Sequence, residues 1–233
     1  MIKVLIGCEE SQTICKAFRY LGVEAYSNDL IDCSGGHPEW HLKMDVFEAL
    51  KINQWDLFIV HPECQRLTVA ANKYYNPEYK ERFPDIHNER KKAIDFFLKL
   101  VKADVPYKAI ENPIGIMSSR YRKPDQIIQP YFFGDTERKA TCLWLYNLPN
   151  LIITNIVKPD IIKLKSGRTD SRLHYESFRL PEKERRKMRA KTFRGIAEAI
   201  AIQWTLYILY RKLSLFPNEI VSRIIPYIKQ LNN

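Results

Sequence analysis

Two short strings in this 233-residue chain carry side chains suited to covalent chemistry. The first is Val60-His61-Pro62-Glu63-Cys64-Gln65, in which a cysteine follows an apolar run and a proline-restrained turn. A thiol so placed is presented at the end of a buried strand, and its thiolate is a strong nucleophile when the surroundings hold the proton off. The second is Ala109-Ile110-Glu111-Asn112-Pro113, in which a carboxyl follows another apolar run. A carboxyl there can hydrogen-bond the edge of a heteroaromatic ring and offset the charge that an attacking thiolate drives into it. Each residue also has a plainer reading. A free cysteine is most often a small buried hydrophobe, and Glu111 would serve equally as a cap or an ion-pair partner.

The elements that must position these residues alternate in type. Residues 3–6 form a short apolar strand ending at Gly7, and residues 11–21 carry Ile14, Ala17, Phe18 and Leu21 at helical spacing, with Ser11 as the expected cap. Strands are expected at 24–27, ending at Asn28-Asp29, at 40–44 before Asp45, at 57–60 and at 107–110. Residues 86–103 form an amphipathic helix with Ile94, Phe97, Leu98 and Val101 on one face. This alternation predicts a doubly wound, mostly parallel α/β sheet of Rossmann type. Such sheets bind ligands beyond the carboxyl ends of their strands. Gly7 to Glu10, Asn28-Asp29, Asp45, His61 to Gln65 and Glu111 to Pro113 all fall at those ends.

The second half is less regular. A strand is expected at 140–145, helices at 182–191 and 195–211, and irregular basic chain at 151–179. Residues 216–231 place Ile220, Ile224, Tyr227 and Ile228 at helical spacing, as a terminal helix. The resulting division is a core of residues 1–150 and 190–211, a basic insertion at 151–189 and a helical tail at 212–233.

The motifs together resemble the cytosine-C5 DNA methyltransferase family. Pro62-Glu63-Cys64-Gln65 stands where that family carries Pro-Cys, and Glu111-Asn112-Pro113 where it carries Glu-Asn-Val. Glu137-Arg138-Lys139-Ala140-Thr141 stands at its Gln-x-Arg-x-Arg strand. The chain is more closely similar to the short methyltransferase-like proteins of phages and large DNA viruses. That likeness runs through Gly7-Cys8-Glu9-Glu10-Ser11-Gln12, Ser34-Gly35-Gly36-His37-Pro38-Glu39-Trp40, Pro124-Asp125-Gln126-Ile127-Ile128-Gln129-Pro130 and Lys191-Thr192-Phe193-Arg194-Gly195-Ile196-Ala197. The resemblance implies a class I S-adenosylmethionine-dependent methyltransferase fold with a small basic C-terminal extension. It implies catalysis by Cys64, Glu111 and Arg138. It implies a cofactor, S-adenosyl-L-methionine, held by Gly7, Cys8, Glu9, Asp29, Asp45, His61 and Pro62. Asp29 would bond the ribose hydroxyls and Asp45 the adenine amine, although each acid would also suit a helix cap. Glu63 replaces a proline of the family; a carboxylate beside Cys64 raises the thiol pKa, and Arg138 is the residue expected to offset it.

The net charge is +10, and residues 158–194 hold 13 Lys/Arg against five Asp/Glu, so most of the excess lies in one segment. Such a cluster is the footprint of a polyanion, or else a solvated helix face. With DNA as the partner, Gln65, Lys139, Arg168, Arg172, Arg185, Arg186 and Lys187 would make the contacts. The target base would be flipped from the stack, since both faces of its ring must be reached. Five scattered cysteines without metal-ligand spacing point to free thiols, no structural metal and a cytoplasmic location. No membrane-spanning or signal segment is expected. Two other readings fit the same residues: a diverged relative that binds nucleic acid or cofactor without turnover, and an enzyme acting on a free pyrimidine nucleotide.

Overall fold

A computed structural model describes residues 2–190 and 192–213, with positions 186 and 187 described by backbone only. The terminal helix expected at 216–231 lies outside the described residues, as does Lys191. Seven strands form one sheet: β1 (Lys3–Gly7), β2 (Glu24–Asp29), β3 (His41–Lys43), β4 (Leu57–Val60), β5 (Tyr107–Pro113), β6 (Gln126–Ile128) and β7 (Thr141–Tyr146). Their spatial order is β3-β2-β1-β4-β5-β7-β6. The pairings β1–β2, β1–β4, β2–β3 and β4–β5 are parallel, and β7 runs antiparallel between β5 and β6. The order reverses at β1, so the cleft between the ends of β1 and β4 is a natural ligand position.

The pleat assigns alternate residues to opposite layers. Val4 and Ile6 of β1 join Leu57 and Ile59 of β4 under helices α1 (Thr13–Tyr20) and α7 (Arg194–Leu213). Leu5, Phe58 and Val60 face the other way, under α2 (Val46–Lys51), α3 (Ile86–Val101) and α4 (Met117–Arg120). Gly7 sits where α2 crosses the sheet. A Cβ there would come within 2.8 Å of Val46 Cγ2, so close helix–strand packing excludes any larger residue.

The cap of α1 differs from expectation. Ser11 makes no cap bond; Gln12, at the cap position with φ 57°, has no side-chain cap either. The Glu9 carboxylate instead accepts the backbone N–H groups of Ile14 (2.6 Å) and Cys15 (3.2 Å). The basic region also has more regular structure than expected. A hairpin of β8 (Ile161–Lys163) and β9 (Thr169–Ser171) leads into α5 (Arg172–Ser177) and α6 (Glu182–Ala190). Among the described residues, no helix is long and apolar enough to cross a membrane.

Candidate active site

The loop after β4 is anchored at several points. The His61 N–H donates to the Gly7 carbonyl (3.1 Å), which continues the strand pairing one residue past β4. Asn112 is buried on β5 and donates through Nδ2 to the Pro62 carbonyl (2.9 Å). Beyond Cys64 the chain turns, with the Leu67 and Thr68 N–H groups both reaching the Cys64 carbonyl (3.0 Å each). The Ile116 N–H then donates to the Leu67 carbonyl (2.8 Å). Gly115 makes that approach feasible, since a Cβ there would lie 2.1 Å from the Leu67 oxygen. The sequence thus pins the cysteine loop to the strand that carries Glu111.

At the end of β5 the Glu111 Oε2 pairs with His61 Nδ1 at 2.6 Å. Burial works to raise the Glu111 pKa, but the His61 hydrogen bond and charge, Lys139 and the Thr141 hydroxyl outweigh it and hold it below the usual carboxylate value. Cys64 is an exposed residue, yet the atoms crowding its sulfur, together with the Glu111 charge, push its thiol above the ordinary value. Lys139 opposes that shift, and Glu63 is the weakest contributor to it. Cys64, Glu111, His61 and Lys139 therefore form one electrostatic cluster at the carboxyl edge of β4 and β5.

A cavity of about 730 Å³ opens beside this cluster, lined among others by Cys8, Asn28, Asp29, Asp45, His61 and Phe96. Asp29 accepts the Leu30 N–H (2.7 Å), which fixes its carboxylate at the end of β2. Asp45 caps α2 by accepting the Phe47 N–H (2.8 Å). Cys8 has a left-handed φ of 58°, and burial, with Asp29 and Asp45 nearby, pushes its thiol to about 12. Glu63 and Gln65 reach the same cavity from the cysteine loop. A smaller pocket on the far side of His61 is lined by Glu111, Lys139, Thr141 and Phe193.

Other expected site residues stand elsewhere. Gly7 packs against α2, Pro62 is buried within the loop, and neither lines the large cavity. Glu9 faces inward under α1, where burial raises its pKa to about 7 against the pull of His61 and the two backbone hydrogen bonds. Arg138 is exposed and donates to Thr169 Oγ1 on β9 (3.2 Å), away from the cluster. Lys139, its neighbour in the segment before β7, is the residue whose charge acts on Glu111 and Cys64. Arg172 is held by Asp160 (2.6 Å) and Glu176 (3.7 Å). Arg168 is exposed on the hairpin and Arg185 half-buried on α6, while the side chains of Arg186 and Lys187 lie outside the described residues. The His61–Glu111 pair was not anticipated from the sequence. Its signal was present, since the parallel register of β4 and β5 sets His61 beside Glu111.

The strand order, with an antiparallel β7 inserted between β5 and β6, is that of the class I S-adenosylmethionine-dependent methyltransferase fold. Among solved structures, the chain is similar to a protein assigned as a DNA modification methyltransferase, encoded within an Escherichia coli prophage. The identity is 11%, the TM-score 0.45, and the match covers 69% of this chain and 53% of that one. It is also similar to a triple mutant of Spodoptera frugiperda DNMT2, at 13% identity and a TM-score of 0.40, over 70% of this chain and 59% of that one. The chain thus spans less than two thirds of either. No protein-family model and no curated protein matches the sequence.

Proposed function

We propose that the protein is an S-adenosylmethionine-dependent methyltransferase acting on C5 of cytosine in DNA. The observation that carries this reading is the adjacency of Cys64 and Glu111, coupled through charge, at the sheet edge beside the 730 Å³ cavity. The cavity suits the cofactor. Asp29 ends β2 at the ribose position of dinucleotide folds, and its charge and that of Asp45 favour a cationic sulfonium. Leu30, Val46 and Phe96 supply apolar walls for an adenine. When bound, S-adenosylmethionine supplies an electrophilic methyl group.

The chain's own residues do the rest. The Cys64 thiolate adds to C6 of the pyrimidine, and Glu111 bonds N3, where charge develops. Lys139, rather than Arg138, supplies the positive charge beside the thiolate. Arg168 and Arg185, with Gln65 at the loop, serve as candidate DNA contacts within the basic insertion at 151–189. Arg172 braces the hairpin. Incubation with DNA and S-adenosylmethionine labelled in the methyl group tests the reading: label enters DNA cytosine with the wild type and not with Cys64→Ala. Cofactor binding by calorimetry without transfer to any DNA would favour a binding module instead.

A further inference from the structure

We propose that His61 is a positioning residue for Glu111, aiming its carboxyl and supplying the proton that Glu111 passes to N3 of the bound pyrimidine. The destination of that proton rests on the function proposed above; the donation from imidazole to carboxyl does not. Three observations carry the inference. The Nδ1–Oε2 separation is 2.6 Å, at the short end for a charge-assisted bond. The imidazole lines both the large cavity and the small pocket that Glu111 and Lys139 also line, so it connects the expected cofactor cavity to the Glu111 carboxyl. Its Nε2 is buried with no hydrogen-bond partner among the described residues, which leaves Glu111 as the partner that fixes the ring.

The charged groups around the pair come from several elements. Glu111 lies on β5, Glu9 after β1 with Lys16 beyond it, Lys139 before β7, and Cys64 on the same loop as His61. The His61 bond and Lys139 hold Glu111 toward its ionised form against burial, and the shared proton is assigned to Nδ1. The step balances as follows. The Cys64 thiol, held toward its protonated form by the crowding of its sulfur and the Glu111 charge, gives its proton to solvent as the step begins. The sulfur–C6 bond forms, the C5–C6 π pair shifts to C4–C5, the C4–N3 π pair moves onto N3, and N3 takes a proton from Glu111. Glu111 takes one from Nδ1 of a His61 imidazolium, leaving a neutral imidazole that keeps its proton on Nε2. Release of the thiolate returns the proton by the same path.

Nitrogen-15 spectra of the histidine-labelled full chain, alone and as Glu111→Gln, test the donation. A far-downfield proton on His61 Nδ1 that moves upfield in Glu111→Gln is the expected result. An unprotonated Nδ1 in the wild type, or a signal unmoved by Glu111→Gln, overturns the inference. The rate of covalent capture by a 5-fluorocytosine oligonucleotide, followed against pH, tests the destination. His61→Ala should slow capture by about 100-fold. His61→Asn keeps an N–H toward Glu111 without a transferable proton, so it should recover part of the rate and lose the wild-type bend in the pH profile. A rate and profile for His61→Asn equal to those of the wild type overturn the proton role. No capture by the wild type overturns the proposed reaction and the proton's destination with it, while the spectra still decide the donation.

Discussion

Asn112 Nδ2 donates to the Pro62 carbonyl at 2.9 Å, and this bond ties the loop bearing Cys64 to the strand bearing Glu111. The partner strands run parallel with Val60 opposite Ile110, so His61 and Glu111 follow at the same level. That bond adds to the His61–Glu111 contact and the backbone bonds that hold loop and strand together.

Replacing Asn112 with Ala removes that bond but also an Oδ1 that is buried without a partner. The two effects partly offset, and the net cost should be about 1 kcal/mol. For a chain of this size, that lowers the melting temperature by roughly 2–4 °C. Because the loop is freed, Cys64 should also alkylate faster. An unchanged melting temperature with unchanged thiol reactivity would show that the clamp is dispensable.

The charge on Glu111 is one reason the Cys64 thiol stands above its ordinary value, second to desolvation. Glu111→Gln removes the carboxylate, so the thiol should ionise at lower pH. Iodoacetamide modification of Cys64 between roughly pH 7 and 8 should therefore quicken in Glu111→Gln, although that variant loses the carboxyl proposed for catalysis. Slower modification would contradict the coupling.

Glu9 gives a stability signature of unusual sign. Its folded pKa, about 7, lies above the ordinary 4.5. Between those values the folded state holds a proton that the unfolded state has released, so stability falls as pH rises from about 4.5 to about 7 and then levels. The full fall is on the order of 3 kcal/mol. Glu9→Gln keeps an oxygen for the Ile14 N–H and has no proton to lose. Its melting temperature should change less between pH 5 and pH 8 than that of the wild type. Parallel curves for the two proteins would remove Glu9 as the source.

The basic residues divide by what already holds them. Arg168→Ala and Arg185→Ala should weaken DNA binding, each reducing the slope of log affinity against log salt by about one. Arg172 is paired with Asp160 and Glu176, so Arg172→Ala should lower thermal stability and leave the salt slope nearly unchanged. The reverse pattern would reassign the DNA-facing side of the hairpin.

The sequence was most legible where one physical signal dominates. Leu57–Val60 is four buried apolar residues in a row and reads directly as a central strand. Ile86–Val101 has a long helical period, and its N-terminal bound was expected correctly. Short elements were lost. The six-residue α2 and the three-residue β6 offer too few periods to stand out, although Asp45 at the start of α2 is an ordinary cap residue. Strands β8 and β9 were missed for the same reason, despite Gly167 with its φ of 80° in their turn.

Strand ends were enough to place Cys64, Glu111, Asp29 and Asp45 along one edge of the sheet, because parallel sheets gather such residues there. Choosing between Arg138 and Lys139 needed the path of the irregular chain before β7, which sends Arg138 to Thr169 and sets the Lys139 charge on Glu111. Glu9 misled because its charge suited a cationic cofactor, while the bare N-terminus of α1 claimed it first. The basic segment shows its five acids in the sequence, but not that Asp160, Asp170 and Glu176 take up Arg172 and His174.

The most direct measurement is covalent capture. The full chain is incubated with S-adenosylmethionine and duplex DNA containing 5-fluorocytosine, and the products are resolved by denaturing electrophoresis and mass spectrometry. A denaturant-stable adduct at Cys64 that is absent in Cys64→Ala is the predicted result. No adduct on any cytosine-containing duplex, or one that persists in Cys64→Ala, would contradict it.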